Sequence, residues 1–147
     1  MSDRASETAD IPSFQSLLAG DASANFYKAD YSPRKAAIYL HNLMTILADK
    51  GTLAKPGQFD FAITNQPKTV QELLLQHSDG TFQLTVWGER LSGQDRVTVH
   101  LGVTRASVRI YDPTTGVEPV KTLNNVGSLE LTLSDHPIVI AISLSRQ

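Results

Sequence analysis

The spacing of apolar residues changes once along this chain of 147 residues. Between Ser32 and Lys50 apolar residues recur every three or four positions, which predicts one amphipathic helix. Ser32 is a suitable N-cap, Pro33 suits the first helical position, and Gly51 follows the last turn. So much of this helix is apolar that we expect it to pack against something larger than one sheet edge. The stripe consists of Ala36, Ala37, Leu40, Leu43, Met44 and Leu47, and Ile38 and Ile46 widen it.

From residue 58 onward the pattern is that of short strands separated by turn residues. Apolar and polar residues alternate within short segments, and Gly, Pro, Asn and Asp cluster between them. This spacing predicts a mainly β protein, an antiparallel β-sandwich of about eight strands preceded by one long helix. A second, short helix is compatible with Ile11–Ala19. The predicted strands are Gln58–Thr64, Val70–His77, Thr81–Gly88, Arg96–Val103, Ser107–Tyr111, Val117–Leu123, Ser128–Leu133 and Pro137–Leu144.

The alternation also assigns the two faces of individual strands. In the third strand, Trp87 shares the polar side with Gln83 and Thr85. The last strand is apolar on both sides between Ile138 and Ile142. We therefore expect the last strand at the centre of a sheet, or beneath the helix.

Net charge restricts the choice of partners. The chain has 13 Lys and Arg against 15 Asp and Glu, a net charge of −2 at pH 7. Residues 1–10 contain one Arg and three acidic residues, so the remainder is neutral. A neutral body does not attract phosphate backbones or anionic lipids, which argues against nucleic-acid and membrane partners.

The sequence also bears on membrane spans, signal peptides and thiol chemistry. No apolar run approaches the roughly 20 residues that a membrane span needs. The first ten residues are polar and acidic, unlike a signal peptide. If the parent protein is secreted, its signal lies outside this chain, and the localisation stays open. The chain contains no cysteine, which excludes disulfides and thiol chemistry.

Reactive residue types are present but do not form a recognisable catalytic or metal-binding motif. His41, His77, His100 and His136 lie on separate predicted elements without the spacing of metal ligands. The acidic residues fall mostly in turns or on polar strand faces, and no pair is marked as the two carboxylates of a glycosidase. Residues 112–116 (DPTTG) contain one carboxylate, so they predict a turn with a positive φ at Gly116 rather than a calcium loop. We expect no catalytic residue, no metal and no cofactor.

The aromatic residues Trp87 and Tyr111 are the candidate ligand-binding residues. A ring with one apolar face and a polar handle suits stacking on a sugar. The competing interpretation is that the Trp87 ring is covered by the helix, a loop or another domain. Exposed, roughly coplanar rings on one face would favour the sugar platform.

Several segments resemble one family of enzymes. Residues 31–43 (YSPRKAAIYLHNL) are similar to the last barrel helix of bacterial TIM-barrel glycoside hydrolases, where a phrase of the type x-P-K-P-A-A-x-x-L-H-N-L leads into a C-terminal β-sandwich. Residues 73–82 (LLLQHSDGTF), 84–87 (LTVW) and 131–142 (LTLSDHPIVIAI) resemble a hairpin and closing strands of those sandwiches. The likeness covers residues 26–144. It implies an N-terminal segment at 1–25, a last barrel helix at 26–51 and a β-sandwich domain at 52–147.

The resemblance implies a context rather than an activity. In such enzymes the catalytic glutamates lie at the C-terminal ends of barrel strands, and no such motif occurs in this chain. The chain is therefore expected to be a non-catalytic accessory domain, whose partners are a catalytic TIM barrel missing from this chain and polysaccharide. Without the barrel, the helix would cover the sandwich or mediate self-association. The alternatives are an independent carbohydrate-binding module that uses Trp87 and Tyr111, and a small enzyme or truncated glycosidase gene product.

Overall fold

The computed structural model describes residues 26–28, 30–53, 55–90, 92–102 and 106–144. The chain divides into two compact units, Met1–His41 and Asn42–Gln147. The short helix predicted at Ile11–Ala19 lies outside the described residues. Within the described residues the elements are α1 (Lys35–Leu47), β1 (Ala62–Thr64), β2 (Val70–Gln76), β3 (Phe82–Gly88), β4 (Asp95–His100), β5 (Ala106–Tyr111), β6 (Lys121–Val126), β7 (Ser128–Leu133) and β8 (Ile138–Leu144).

Helix α1 is confirmed, but it begins later than the sequence predicts. Ser32 donates its hydroxyl to Asp30 Oδ1 at 2.5 Å instead of accepting an N–H of the helix. Pro33 takes part in an isolated β-bridge. The carbonyl of Arg34 accepts the N–H of Ile38 at 3.1 Å. The prediction of Ser32 as N-cap is therefore wrong, because its hydroxyl is used in the turn before the helix.

The helix also ends earlier than predicted, at Leu47. Asp49 follows and binds the β2–β3 turn: its Oδ1 accepts the Ser78 hydroxyl at 2.6 Å, and its Oδ2 accepts the Ser78 N–H at 2.7 Å. Gly51 is close to the same serine, since a Cβ at residue 51 would collide with Ser78 Oγ. Glycine is needed at this position because the turn approaches closely, and not because the helix ends there.

The strands form two antiparallel sheets of a sandwich. One sheet has the order β1-β4-β7, and the other has the order β2-β3-β8-β5-β6. Strand β8 lies at the centre of the five-stranded sheet, which confirms the expectation drawn from its apolar faces. The inner faces form the core, in which Leu84, Leu101 and Ile140 are fully buried. Strands β4 and β7 show the expected alternation, with every second side chain buried.

Strand β6 differs most from its predicted position. The sequence predicts a strand at Val117–Leu123 and a turn at residues 124–125, whereas the strand runs from Lys121 to Val126. Asn124 and Asn125 lie inside the strand, and Asn125 has a φ of +56°. The β5–β6 register shifts between Ala106 and Val108. A β-bulge at a sheet edge therefore accommodates turn-type residues that would otherwise end the strand.

The second half of α1 belongs to the same unit as the sandwich. Ile46 is buried, and its carbonyl accepts the side-chain amide of Gln83 at 2.9 Å. Asn42 Nδ2 donates to the carbonyl of Pro113 at 2.8 Å. Met44 is 62% exposed. The helix is thus bonded to β3 and to the loop after β5, with part of its apolar surface left open.

Candidate functional site on the outer face of the five-stranded sheet

Trp87 and Tyr111 share the outer face of the five-stranded sheet. Trp87 is paired with Gln71 of β2, and Tyr111 is paired with Val139 of β8. Val139 is in turn paired with Thr85 of β3. Strand β8 therefore separates the two aromatic strands, and both rings are half-buried.

Strand geometry gives the spacing of these two residues. Tyr111 lies in the same row as Thr85 but two strands away from it, and Trp87 lies two residues further along β3. With strands about 4.8 Å apart and about 3.4 Å per residue, the two Cα atoms are roughly 12 Å apart. The face therefore presents two amphipathic rings that a ligand longer than a single ring could contact together.

The outer side of β3 next to Trp87 is buried rather than solvated. Gln83 and Thr85, which the alternation places on the polar side of β3, are only 4% and 6% exposed. Within the described residues Gln83 Oε1 and Thr85 Oγ1 have no hydrogen-bond partner. The amide nitrogen of Gln83 is bonded to the last turn of α1. Helix docking, which the strand pattern does not reveal, therefore contributes to the burial of Gln83.

A polar cluster that the sequence analysis missed lies beside Tyr111. His136 Nε2 is 3.3 Å from Asp112 Oδ1, and His136 Nδ1 is 3.2 Å from Asp135 Oδ1. The hydroxyl of Ser134 lies 3.1 Å from the same Nδ1. These contacts join the turn after β5 to the turn between β7 and β8. The only sequence signal was the polar triplet at 134–136, which predicts a turn and does not show what the turn contacts.

Asp112 is occupied by its own turn. Its Oδ1 accepts the N–H of Thr114 at 2.9 Å and the Thr114 hydroxyl at 2.6 Å, and Gly116 has a φ of +151°. Burial raises the pKa of Asp112, but the hydrogen bonds from Thr114 and the nearby His136 outweigh it, so the net shift of the pKa is downward. The predicted turn is confirmed.

Carboxylates and histidines elsewhere in the sandwich unit are dispersed. Buried Asp95 accepts the Thr69 hydroxyl at 3.0 Å and forms an ion pair with Arg90 at 2.9 Å, which joins three segments of the chain. His77 and His100 lie at the ends of different strands. Over the part of the chain that the structure describes, no three such side chains converge as a metal site. No helix among these residues is long and apolar enough to cross a membrane.

A depression of about 390 Å³ lies over strands β4 and β7 of the other sheet. Its polar lining consists of Arg96, Thr98, Glu130 and Thr132. Glu130 is the single carboxylate among the lining residues, whereas glycoside hydrolysis by the usual mechanisms takes two. This lining does not supply the pair.

Comparison with known proteins gives a partial structural match. No protein-family model and no curated protein sequence matches the chain. Among solved structures, the chain is similar to CelM2, a bifunctional glucanase-xylanase protein from a metagenome library, with a TM-score of 0.39 and 21% sequence identity. The match covers 53% of this chain and 16% of CelM2, so it spans a small part of a glycoside hydrolase. At this level of similarity no function is assigned to the chain from it.

Proposed function

We propose that this chain is a non-catalytic accessory β-sandwich domain of a bacterial glycoside hydrolase, which supports a catalytic TIM barrel through α1 and contacts polysaccharide. The observation that carries the proposal is the attachment of α1, the segment that resembles a last barrel helix. Its second half is held by buried Ile46, by the Gln83 bond to the Ile46 carbonyl and by the Asn42 bond to Pro113.

A helix attached in this way suits a supporting role. An element that packs on two domains at once restricts their relative motion, which a flexible linker does not do. Met44 on the same half of the helix leaves apolar surface open for a second domain. Both features favour a helix that joins a sandwich to a barrel.

The distribution of carboxylates favours a non-catalytic role. In the sandwich unit Asp49 and Asp95 accept hydrogen bonds from distant segments of the chain, and Asp112 accepts hydrogen bonds from its own turn. The depression over β4 and β7 has one carboxylate, Glu130. A glycosidase needs an acid and a second carboxylate on opposite sides of the scissile bond.

An independent carbohydrate-binding module is the second candidate function. It is favoured by one observation: Trp87 and Tyr111 share a sheet face, and both rings are half-buried rather than enclosed. Such a module would bind polysaccharide with the same residues but would need no barrel. The two proposals therefore share their ligand and differ in the size of the native protein.

Affinity electrophoresis and a reducing-sugar assay test the proposal on the purified 147-residue chain. We expect slower migration in gels that contain soluble β-glucan or xylan, and no release of reducing sugar from either polymer. Trp87→Ala should reduce the retardation, because loss of a stacking surface worth about 1 kcal/mol weakens binding roughly fivefold. Tyr31→Ala, at a tyrosine that is 74% exposed outside the strands, is the matched control and should not change migration.

Each half of the proposal has its own contradicting result. Hydrolysis that is retained through purification and lost on replacing one carboxylate would contradict the non-catalytic role. Migration that neither polymer slows would contradict the polysaccharide contact.

A further inference from the structure

The edge strands of the two sheets are protected to different degrees. Unpaired strand edges invite pairing with another chain, and proteins block them with short strands, bulges, prolines, charges or covering segments. Strand β1 has only three residues, and β6 carries the bulge with its positive φ at Asn125. At β2 the side chain of Gln66 donates to the Val70 carbonyl, and Gln76 accepts the Gly57 N–H. Three of the four edges are therefore short, distorted or partly covered.

Among the described residues, strand β7 has only one of these protections, the charge of the exposed Glu130. It runs for six residues, Ser128–Leu133, without proline, glycine or a basic residue. Its register with β4 is continuous from end to end, and its side chains alternate strictly between buried and exposed. Within the described residues no strand pairs with its other side. Among the described residues it is the edge strand with the fewest protections.

The backbone groups that face this edge can be identified. The N–H of Leu101 donates to the carbonyl of Gly127 at 2.9 Å, so this pair is of the hydrogen-bonded type. Hydrogen-bonded pairs alternate along an antiparallel ladder, so residues 129, 131 and 133 are also bonded to β4. The N–H and carbonyl groups of Ser128, Glu130 and Thr132 therefore point away from β4, towards the open edge.

We propose that β7 pairs antiparallel with β7 of a second copy of this chain, about a two-fold axis at Leu131. The proposal is independent of the function proposed above. In this register Glu130 of one copy and Thr132 of the other copy form a hydrogen-bonded pair. The two-fold axis generates the same pair with the two copies exchanged. Centring the pairing on Glu130 instead would place two like charges directly opposite each other, which is destabilising. The two three-stranded sheets would become one continuous six-stranded sheet.

Charge complementarity argues that the occupant is a second copy. Arg96 of β4 is paired with Thr132 and lines the depression beside Glu130. In the proposed register Arg96 shares a row with Glu130 of the second copy, two strands or about 10 Å away between Cα atoms. Two long side chains can span that distance, and the symmetric pair forms on the other side of the axis. A single surface that complements itself is what a two-fold dimer requires.

Sedimentation velocity of the full 147-residue chain, over a range of concentrations, tests the association. We expect a monomer–dimer equilibrium that Thr132→Pro shifts towards monomer by tenfold or more in Kd. The proline removes an N–H that faces the open edge and not one bonded to β4, and edge strands accept proline. Thr132→Val, which keeps the N–H and the branched side chain, is the matched control and should dimerise like the wild type.

Cysteine pairing tests the register without depending on the proline variant. Because the chain has no cysteine, each introduced thiol is unique. Glu130→Cys mixed with Thr132→Cys should give a disulfide-linked dimer on mild oxidation, because directly paired residues lie about 5.5 Å apart between Cα atoms, within disulfide range. Either variant alone should give much less disulfide-linked dimer. In a dimer of one variant, the two introduced cysteines lie diagonally across the strand pair, about 7–8 Å apart.

Three results would overturn the proposal. The wild-type chain could remain monomeric at every concentration, as it would if another segment covered this edge. The mixed cysteine variants could fail to cross-link beyond the single variants. A dimer that survives Thr132→Pro but is lost in Met44→Glu would place the association on the helix instead.

Discussion

Thr85 has a hydroxyl group that is buried without a hydrogen-bond partner among the described residues. A hydroxyl removed from water and left unpaired costs roughly 1–3 kcal/mol in mutational data. It lies on the outer side of β3, in the same row as Val139 and Tyr111. This side chain is therefore a local weakness in the sheet next to the proposed ligand face.

Replacing Thr85 with valine should stabilise the protein. Thr85→Val keeps the branched shape and removes the unpaired hydroxyl, so we expect the free energy of unfolding in urea to rise by about 1 kcal/mol. Thr122→Val, at an exposed threonine of β6, should change it by less than about 0.5 kcal/mol. A loss of stability in Thr85→Val would show that the hydroxyl is bonded.

Period-two alternation was sufficient to place Trp87, Gln83 and Thr85 on the same side of their strand, because side-chain direction is a local property of an extended backbone. It could not show that Gln83 and Thr85 are buried. That burial depends on contacts such as the bond from Gln83 to the carbonyl of Ile46, 37 residues away in the sequence. The His136 cluster was missed for the same reason, since Asp112 and His136 meet only through the sheet.

At the scale of elements, the attachment of α1 to the sandwich rests on few residues. Ile46 is 9% exposed and Met44, two positions earlier, is 62% exposed. Ile46→Ala should lower the free energy of unfolding by about 2–3 kcal/mol because it leaves a cavity under the helix. Met44→Ala is the matched control on the same helix and should stay within about 0.5 kcal/mol of the wild type.

Chemical denaturation of both variants measures the attachment directly. Equal, small effects of the two substitutions would contradict the docking of this half of the helix. A larger effect of Met44→Ala would mean that the helix is rotated, with Met44 rather than Ile46 facing the sandwich.

The bond between Asp49 and the β2–β3 turn should make stability depend on pH. Hydrogen bonds from the Ser78 side chain, the Gly51 N–H and the Ser78 N–H hold the pKa of Asp49 below its ordinary value of 3.8. A carboxyl group whose pKa is lower in the folded state stabilises it at pH values above 3.8. That contribution is lost as the pH falls through the folded-state pKa.

Asp49→Asn removes the titrating group but keeps an acceptor oxygen. We expect a lower Tm than that of the wild type at pH 7, and a difference that narrows as the pH is lowered below 3.8. Glu118→Gln, at an exposed carboxylate in the loop before β6, serves as the control and should leave Tm unchanged. A Tm difference that stays the same over this pH range would contradict the role of the charged carboxylate.

The order of elements was predictable from periodicity, and their boundaries were less so. The central position of β8 follows from two apolar faces, which no edge strand would carry. The start of α1 was misplaced because Ser32 could cap a helix or close a turn with Asp30, and local sequence does not decide between them. Strand β6 was misplaced because Asn124 and Asn125 are turn residues that a bulge accommodates.

At the scale of the whole molecule, the described residues combine a complete sandwich core with a helix that is built into it along one half. The sandwich follows from the sequence because its eight strands alternate and its turns are well marked. The ligand and the partner do not follow from the sequence. Sugar contact depends on how far the Trp87 and Tyr111 rings are covered, and no local sequence pattern reveals that coverage. The accessory-domain function therefore depends most on whether this chain works as part of a larger enzyme.

The size of the native protein tests that claim most directly. An antibody raised against the sandwich would detect the native product by immunoblot of the cells and medium in which the gene is expressed. The accessory-domain function predicts a band larger than the 16.0 kDa of this chain by at least a barrel of about 250 residues. A single band at 16.0 kDa would contradict that function and leave the independent carbohydrate-binding module.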